Sequence, residues 1–250
     1  MKGVLVAASF LTRLYVPATA DGVEVGASMR WFPLVGALIG SAGAIVVWIL
    51  ASGLAMPGTL TATIVVALGV WITGAIHLDG LADMADGFGG GRTRDEVLRI
   101  MRDPLIGSFG AIALVLVLVT KVVAVAELLQ RGSALSYIVA APTLSRWTIA
   151  LLATWLPYAR VGGGLGQAVT RQRCVSGVLL STSTAAVVSF AALGSYAVLA
   201  IAVAIASALC FGLMARRRIG GVTGDVFGAS VEVTETTVFV SAVAISGGLE

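Results

Sequence analysis

The chain alternates long apolar stretches with short polar segments, and the apolar stretches are too long and too uniform for the helices of a soluble core. They fall at 32–54, 59–76, 107–130, 133–156, 175–193, 195–213 and 224–249. Each approaches the ~20 residues that cross ~30 Å of hydrocarbon at a rise of ~1.5 Å per residue. The pattern predicts an all-α fold, a polytopic helical membrane protein of about seven transmembrane helices. The run from Val175 to Leu213 exceeds one crossing, and Gly194-Ser195 is where it can turn, as a very tight hairpin. No internal repeat, linker or low-complexity tract breaks the pattern, so residues 1–250 read as a single integral-membrane domain.

Composition agrees. Hydrophobic residues make up 58%, charged residues 12%, and the mean hydropathy of +1.00 lies well outside an average soluble domain. The charges are unevenly placed. With the N-terminus inside, the positive-inside rule assigns the cytoplasmic side to Lys2, Arg13, Arg30, Arg92, Arg94, Arg99, Arg102, Arg160, Arg171, Arg173 and Arg216 to Arg218, leaving Arg131 outside. The pI near 9.2 therefore reports topology and, locally, anionic substrates. No nucleic-acid partner is expected, because no basic run is interleaved with aromatic residues.

The N-terminus imitates a signal peptide, with Lys2, an apolar stretch from Gly3 to Leu11 and Ala18-Thr19-Ala20. Arg13 interrupts it and Pro17 follows, so an amphipathic segment at the cytoplasmic interface is expected instead. Cys174 at the inner face and Cys210 within a span predict neither a disulfide nor a thiolate metal site.

The chemistry is concentrated in the string from His77 to Arg92, HLDGLADMADGFGGGR. At about 100° per residue, Asp83 sits roughly 40° and Asp86 roughly 20° from Asp79, so three carboxylates share one helical face. Like charges gain nothing from that arrangement unless a cation or protons compensate them. Bare carboxylates suit a hard cation such as Mg²⁺, which keeps water and phosphate in its shell. A solvated acidic face is the bland alternative, but Leu78, Leu81, Ala82, Met84, Ala85 and Phe88 make this segment too apolar for it. The EF-hand, Walker and dinucleotide patterns all fail here. What remains is Gly89-Gly90-Gly91 as flexible backbone able to approach an oxyanion, with Arg92 behind it. His77, the single histidine, lies roughly 200° from Asp79, away from the carboxylate face, so it is not expected to serve as the base. Arg92, Arg94, Arg99 and Arg102, closed by Asp103-Pro104, could clamp a diphosphate.

A second acidic set, Asp225, Glu232 and Glu235, falls within about 80° on one helical face near the last span. Two readings stay open for it: binding of metal or substrate, or structural pairing with Lys121 and Arg146, which lie deep in their own spans. The first reading would place Glu232 and Glu235 in the same cavity as the aspartate triad.

Five separated motifs now carry a resemblance. Phe10-Leu11-Thr12-Arg13 with Pro17, Trp31 to Gly36, His77 through Arg92, Ile100 to Asp103 with Ile106-Gly107, and Gly224-Asp225 with Glu232 and Glu235 occur in the order found in the cobalamin synthase (adenosylcobinamide-GDP ribazoletransferase) family. The similarity runs from about residue 10 to 240. It implies a Mg²⁺-dependent, multi-pass enzyme of a prokaryotic inner membrane, active site toward the cytoplasm. Its substrates would be adenosylcobinamide-GDP and α-ribazole or the 5′-phosphate, its products adenosylcobalamin or its phosphate and GMP. It also implies the lipid bilayer as a partner, and leaves room for a homo-oligomer and for other enzymes of the cobalamin nucleotide loop. On this reading Asp79, Asp83 and Asp86 hold the metal and act in catalysis with Arg92. His77, Gly89, Gly90, Arg94, Arg102, Asp103, Asp225, Glu232 and Glu235 meet the substrates. Asp83-Met84-Ala85-Asp86-Gly87 is also similar to the start of the CDP-alcohol phosphotransferase motif, but the second half of that motif is missing. A secondary transporter is the reading from another class; it would need paired half-repeats, which are absent.

Overall fold

The computed structural model describes residues 2–13, 22–160, 165–171 and 175–246. Pro17, the Ala18-Thr19-Ala20 string, Arg173 and Cys174 lie outside the described residues, as does the side chain of Arg171. The fold is all-α. Helices α1 (Lys2–Leu11) and α2 (Gly22–Ser28) precede α3 (Phe32–Val47), whose end widens into a π-helical segment over Trp48–Gly53. There follow α4 (Gly58–Thr73), α5 (Ile76–Gly90), α6 (Arg94–Ile100), α7 (Ser108–Gln130), α8 (Ala134–Trp155) and α9 (Leu165–Arg171). The chain ends in α10 (Val175–Leu193), α11 (Ala197–Ile219) and α12 (Gly224–Ser246). A single parallel bridge, Tyr158 with Val222, is the β-type contact among the described residues.

The burial pattern is that of a protein solvated by lipid. Helix α8 lies at the centre, packed by α3, α10, α11 and α12, and it buries the polar residues Thr143, Ser145, Arg146 and Thr148. The outer helices present their largest apolar side chains outward, among them Val115, Leu116 and Val119 of α7, Leu179 and Val187 of α10, and Val198 of α11. Because lipid is as apolar as leucine, such helices associate through small residues and polar contacts. Gly36 and Gly40 let α3 lie against the backbone of α8 at Pro142 and Ile138. Pro142 has no N–H to give the carbonyl one turn earlier, and Gly40 packs on that carbonyl, at Ile138.

By length and hydropathy, five helical runs among the described residues suffice to cross a membrane, or six if α4 and α5 form one broken span. The expected count of seven is not reached by this measure, for two reasons. The run Val175–Ile219 counts once at 45 residues, although Gly194 takes a φ of +56° and α10 packs beside α11. Helix α4 has only 16 residues, a length of ~24 Å at ~1.5 Å per residue, short of the hydrocarbon thickness.

Between α4 and α5 the chain bends by 88°. Two successive left-handed residues make the corner, Gly74 at φ +62° and Ala75 at φ +61°. Helix α5 then packs along the first turns of both α12 and α7, antiparallel to them: His77 and Gly80 meet Gly228 and Asp225, while Ala82 and Asp86 meet Gly110 and Gly107. Its later part, from Asp83 to Gly90, lies level with the first residues of α12 and α7, at one end of the bundle. The basic residues Arg94, Arg160 and Arg218 gather at this end, whereas Arg131 bonds the carbonyl of Val243 near the far end of α12.

Candidate active site

Glycine on both helices fixes the close packing of α5 on α12. A Cβ on Gly80 would sit 2.9 Å from the Cα of Asp225, and one on Gly228 would sit 3.0 Å from the carbonyl oxygen of His77. The close approach brings the Asp79–Asp83 face against the start of α12. Asp79 is exposed and Asp83 half-buried, and neither carboxylate has a hydrogen-bond or ion-pair partner among the described residues. Burial pushes the Asp83 carboxyl up to about 7, and the nearby charges of Asp225, Asp79 and Asp86 add to the rise while Arg160 opposes it. Asp225 itself accepts from the Arg160 guanidinium and from the Thr223 hydroxyl, and Arg160 also donates to the Met101 carbonyl at 3.0 Å.

Asp86 shares the helical face but has a different occupation. Its two oxygens accept the amides of Gly107 at 2.7 Å and Gly110 at 2.8 Å, so it caps the N-terminus of α7 from a neighbouring helix. Among the described residues no group of three or more His, Cys or carboxylate side chains closes into a metal cage. The free pair Asp79 and Asp83, with Asp225 beside it, is an open cluster whose mutual repulsion a cation would relieve.

The glycine run is helical and not a flexible loop. Gly89 and Gly90 form the last turn of α5 and Gly91 caps it. The missing side chains make room for Phe109 against Gly89 and for Val97 against Gly91. Arg218 closes this helix end by donating to the carbonyls of Phe88 and Gly91. The Arg92 amide donates to Glu96 at 2.8 Å, which holds that carboxyl below its ordinary range, and the Arg92 side chain is exposed. Arg94 is committed to carbonyl oxygens at Ile219 and Ala159, so it ties α6 to the end of α11 and to the segment after α8. Arg102 and Asp103 are exposed, and Asp103 accepts the Leu105 amide across Pro104.

Arg102 borders three cavities. One of about 540 Å³ lies between α5 and α7; a second of about 440 Å³ lies under α5 against α1, α8 and α12; a third of about 310 Å³ is lined by Arg94, Arg99, Arg102 and Arg160. Asp79 lines the first two. Arg160 was legible in the sequence only as a topology charge, yet it reaches Asp225 from the loop after α8. Its position beside Pro157-Tyr158, on the side already assigned to Asp79, was the available signal.

Glu232 and Glu235 do not join this site. Lys121 donates to Glu232 at 2.6 Å and to Glu235 at 3.1 Å, and Arg146 pairs with Glu235. The adjoining cavity is only about 50 Å³, room for water and not for substrate. One face of α12 divides because its first turn meets α5 while its third and fourth meet α7 and α8. His77 is buried on the α12 side of α5, and its Nε2 has no hydrogen-bond partner among the described residues.

These features define a class: a polytopic helical membrane protein with a carboxylate and arginine site at one end of its bundle. The sequence profile of the cobalamin-5-phosphate synthase family matches residues 3–243, and the chain belongs to that family. Similar proteins named adenosylcobinamide-GDP ribazoletransferase occur in Prosthecochloris aestuarii, 39% identical over 97% of this chain and 97% of the relative, and in Chlorobaculum tepidum, 39% identical over 97% and 95%. A third, from Pelodictyon phaeoclathratiforme, is 42% identical over 100% of this chain and 99% of its own. No solved structure matches the chain.

Proposed function

We propose that the chain joins adenosylcobinamide-GDP to α-ribazole or α-ribazole 5′-phosphate, releasing GMP and giving adenosylcobalamin or its 5′-phosphate. The observation that carries this reading is the convergence of Asp79, Asp83 and Asp225 beside Arg102 and Arg160, in a chain that relatives of that name cover end to end. A ribose hydroxyl attacks the cobinamide-side phosphorus, the P–O bond to GMP breaks, and the hydroxyl proton passes to a carboxylate of the cluster. Arg102 and Arg160 offset charge on the phosphoryl oxygens and on the departing GMP.

The donor set fits Mg²⁺: two unpartnered carboxylates crowded with a third, one of them with a raised proton affinity. Asp79 and Asp83 would hold it with Asp225 adjacent, while Asp86 acts as the cap of α7. Bound there, Mg²⁺ supplies charge neutralisation across the diphosphate. The gathering of Arg94, Arg102, Arg160 and Arg218 at this end supports a site facing the cytoplasm of a prokaryotic membrane.

The test is release of GMP by detergent-solubilised protein given both substrates. Activity should vanish on chelation and return with Mg²⁺. Turnover unaffected by chelation would remove the metal assignment, and release of CMP from a CDP-alcohol with no reaction of the cobinamide substrate would replace the function.

A further inference from the structure

The cavity of about 440 Å³ beneath α5 is built differently from its neighbours. Its walls carry Phe10 from α1, Ile149 from α8, Tyr158 from the following loop and Phe227 from α12, while Asp79 and Arg102 stand at one side. Its size is that of a small-molecule site, ~300–1,000 Å³. Phe10 is held by stacking on Phe32, with ring centroids 5.4 Å apart. Its polar end is formed by Asp79, Arg102 and Asp225, and its other walls are aromatic and aliphatic.

The cavity between α5 and α7 has no aromatic wall. It opens among Leu105, Ile106, Leu114 and Leu118, and it too has Asp79 and Arg102 at its edge. A phosphorus atom held at Asp79 therefore faces a cavity on either side. In-line transfer needs that arrangement, with the entering and leaving oxygens on opposite sides of the phosphorus.

We infer that the cavity of Phe10, Tyr158 and Phe227 is the acceptor subsite, holding the aromatic base of α-ribazole with its ribose toward Asp79. The inference rests on the ribazoletransferase reading and deepens it. The alternative occupant is the guanine of the donor. Guanine presents an amide and an amino edge that only the Asp79 and Asp225 end of this cavity could pair, and that end is where the phosphorus must lie, while Phe10, Ile149 and Phe227 would leave the edge unpaired. The methyl-substituted benzimidazole of α-ribazole has no such edge and offers a flat apolar face to the rings. Its ribose is the polar part, directed toward Asp79 and Arg102 at the end of the cavity.

The experiment compares Phe10→Ala, Tyr158→Ala and Tyr158→Phe with the wild type in detergent. Two quantities are read: the KM of each substrate, and the Kd of α-ribazole by calorimetry without Mg²⁺ or donor. Loss of a stacking ring should raise the KM and Kd of α-ribazole about tenfold. The KM of adenosylcobinamide-GDP should stay within about twofold, and Tyr158→Phe should retain wild-type affinity. Guanosine should not displace α-ribazole. A rise in the donor KM with the α-ribazole Kd unchanged would overturn the assignment in favour of guanine. Because calorimetry needs no turnover, the two readings fail separately. Ring-dependent α-ribazole binding in a protein that makes no product would uphold the subsite and remove the transferase activity. Turnover with ring-independent binding would do the reverse. Phe10 and Tyr158 are half-buried, so a variant that unfolds is replaced by Phe10→Leu, which keeps the volume and removes the ring.

Discussion

Asp79 and Asp86 differ in what their oxygens already do, and that difference separates two mutants of identical chemistry. Asp79→Asn removes a charge from an unpartnered carboxylate. It should lower kcat on the order of 10²–10³-fold, the scale for one preorganised electrostatic contact, with no change in melting temperature. Asp86→Asn leaves one amide of the α7 N-terminus facing an NH₂ group. It should lower stability by ~1.5–3 kcal/mol, the value of a hydrogen bond to a charged group, in a thermal melt without Mg²⁺. If Asp86→Asn changed only the Mg²⁺ requirement and left the melt untouched, the cap would be the wrong assignment.

Asp83 adds a pH dependence. Its carboxyl is raised from 3.8 to about 7 in the folded, metal-free chain, so below that pH a proton occupies the position the metal needs. The Mg²⁺ concentration for half-maximal activity should fall as pH rises from ~6 to ~8. The metal-free protein should lose stability over the interval from 3.8 to about 7, because the unfolded chain gives up this proton first. Added Mg²⁺ should erase that loss. Helical spacing alone put the three aspartates on one face, and the structure keeps them there. Which of them is free depends on backbone amides 21 and 24 residues away, a relation that no local pattern contains.

At the level of elements, the site is a close helix contact, and the contact is a pair of glycines. In Gly80→Ala the new methyl would meet the backbone of Asp225 at 2.9 Å, contact that only a shift of α5 can relieve. Overpacking of this kind costs ~1–3 kcal/mol. Displacing reacting groups by ~1 Å can cost ~100-fold in rate, so kcat should fall far more than stability predicts. Gly90→Ala, with only the Ile100 side chain near at 3.5 Å, should be close to neutral in the same assay. The apolar helices were legible because their length and uniformity leave little choice of structure. The corner between α4 and α5 was not, since Ala75 adopts a left-handed φ that its residue type disfavours and only Gly74 hints at. The glycine run misled for a related reason. Glycine signals freedom in an isolated segment, but here neighbouring side chains fill the space and the helix continues.

Across the whole molecule, the charges inside the bundle sum to zero. Lys121 and Arg146 face Glu232 and Glu235, with Lys121 bridging both acids. Removing one member of a buried pair typically costs ~3–5 kcal/mol, because its partner is left charged and alone. Lys121→Met should accordingly show a large drop in melting temperature in detergent. Lys121→Met combined with Glu232→Gln leaves Arg146 with Glu235 and restores neutrality, so most of the drop should be recovered. A double mutant no more stable than the single would mean that the four groups do not act as a unit.

The same network constrains the order in which the protein is made. Lys121 and Arg146 are synthesised on α7 and α8, and their acids arrive only with α12, about a hundred residues and several seconds later at ~5–20 residues per second. Until then two cations lie within the bilayer without their counterions, a state costing ~2.5–3.5 kcal/mol for each on the insertion scale. The growing chain is therefore held in an incomplete bundle that only its last helix can close. A chain that stops before residue 232 keeps Lys121 and Arg146 without either of their acids.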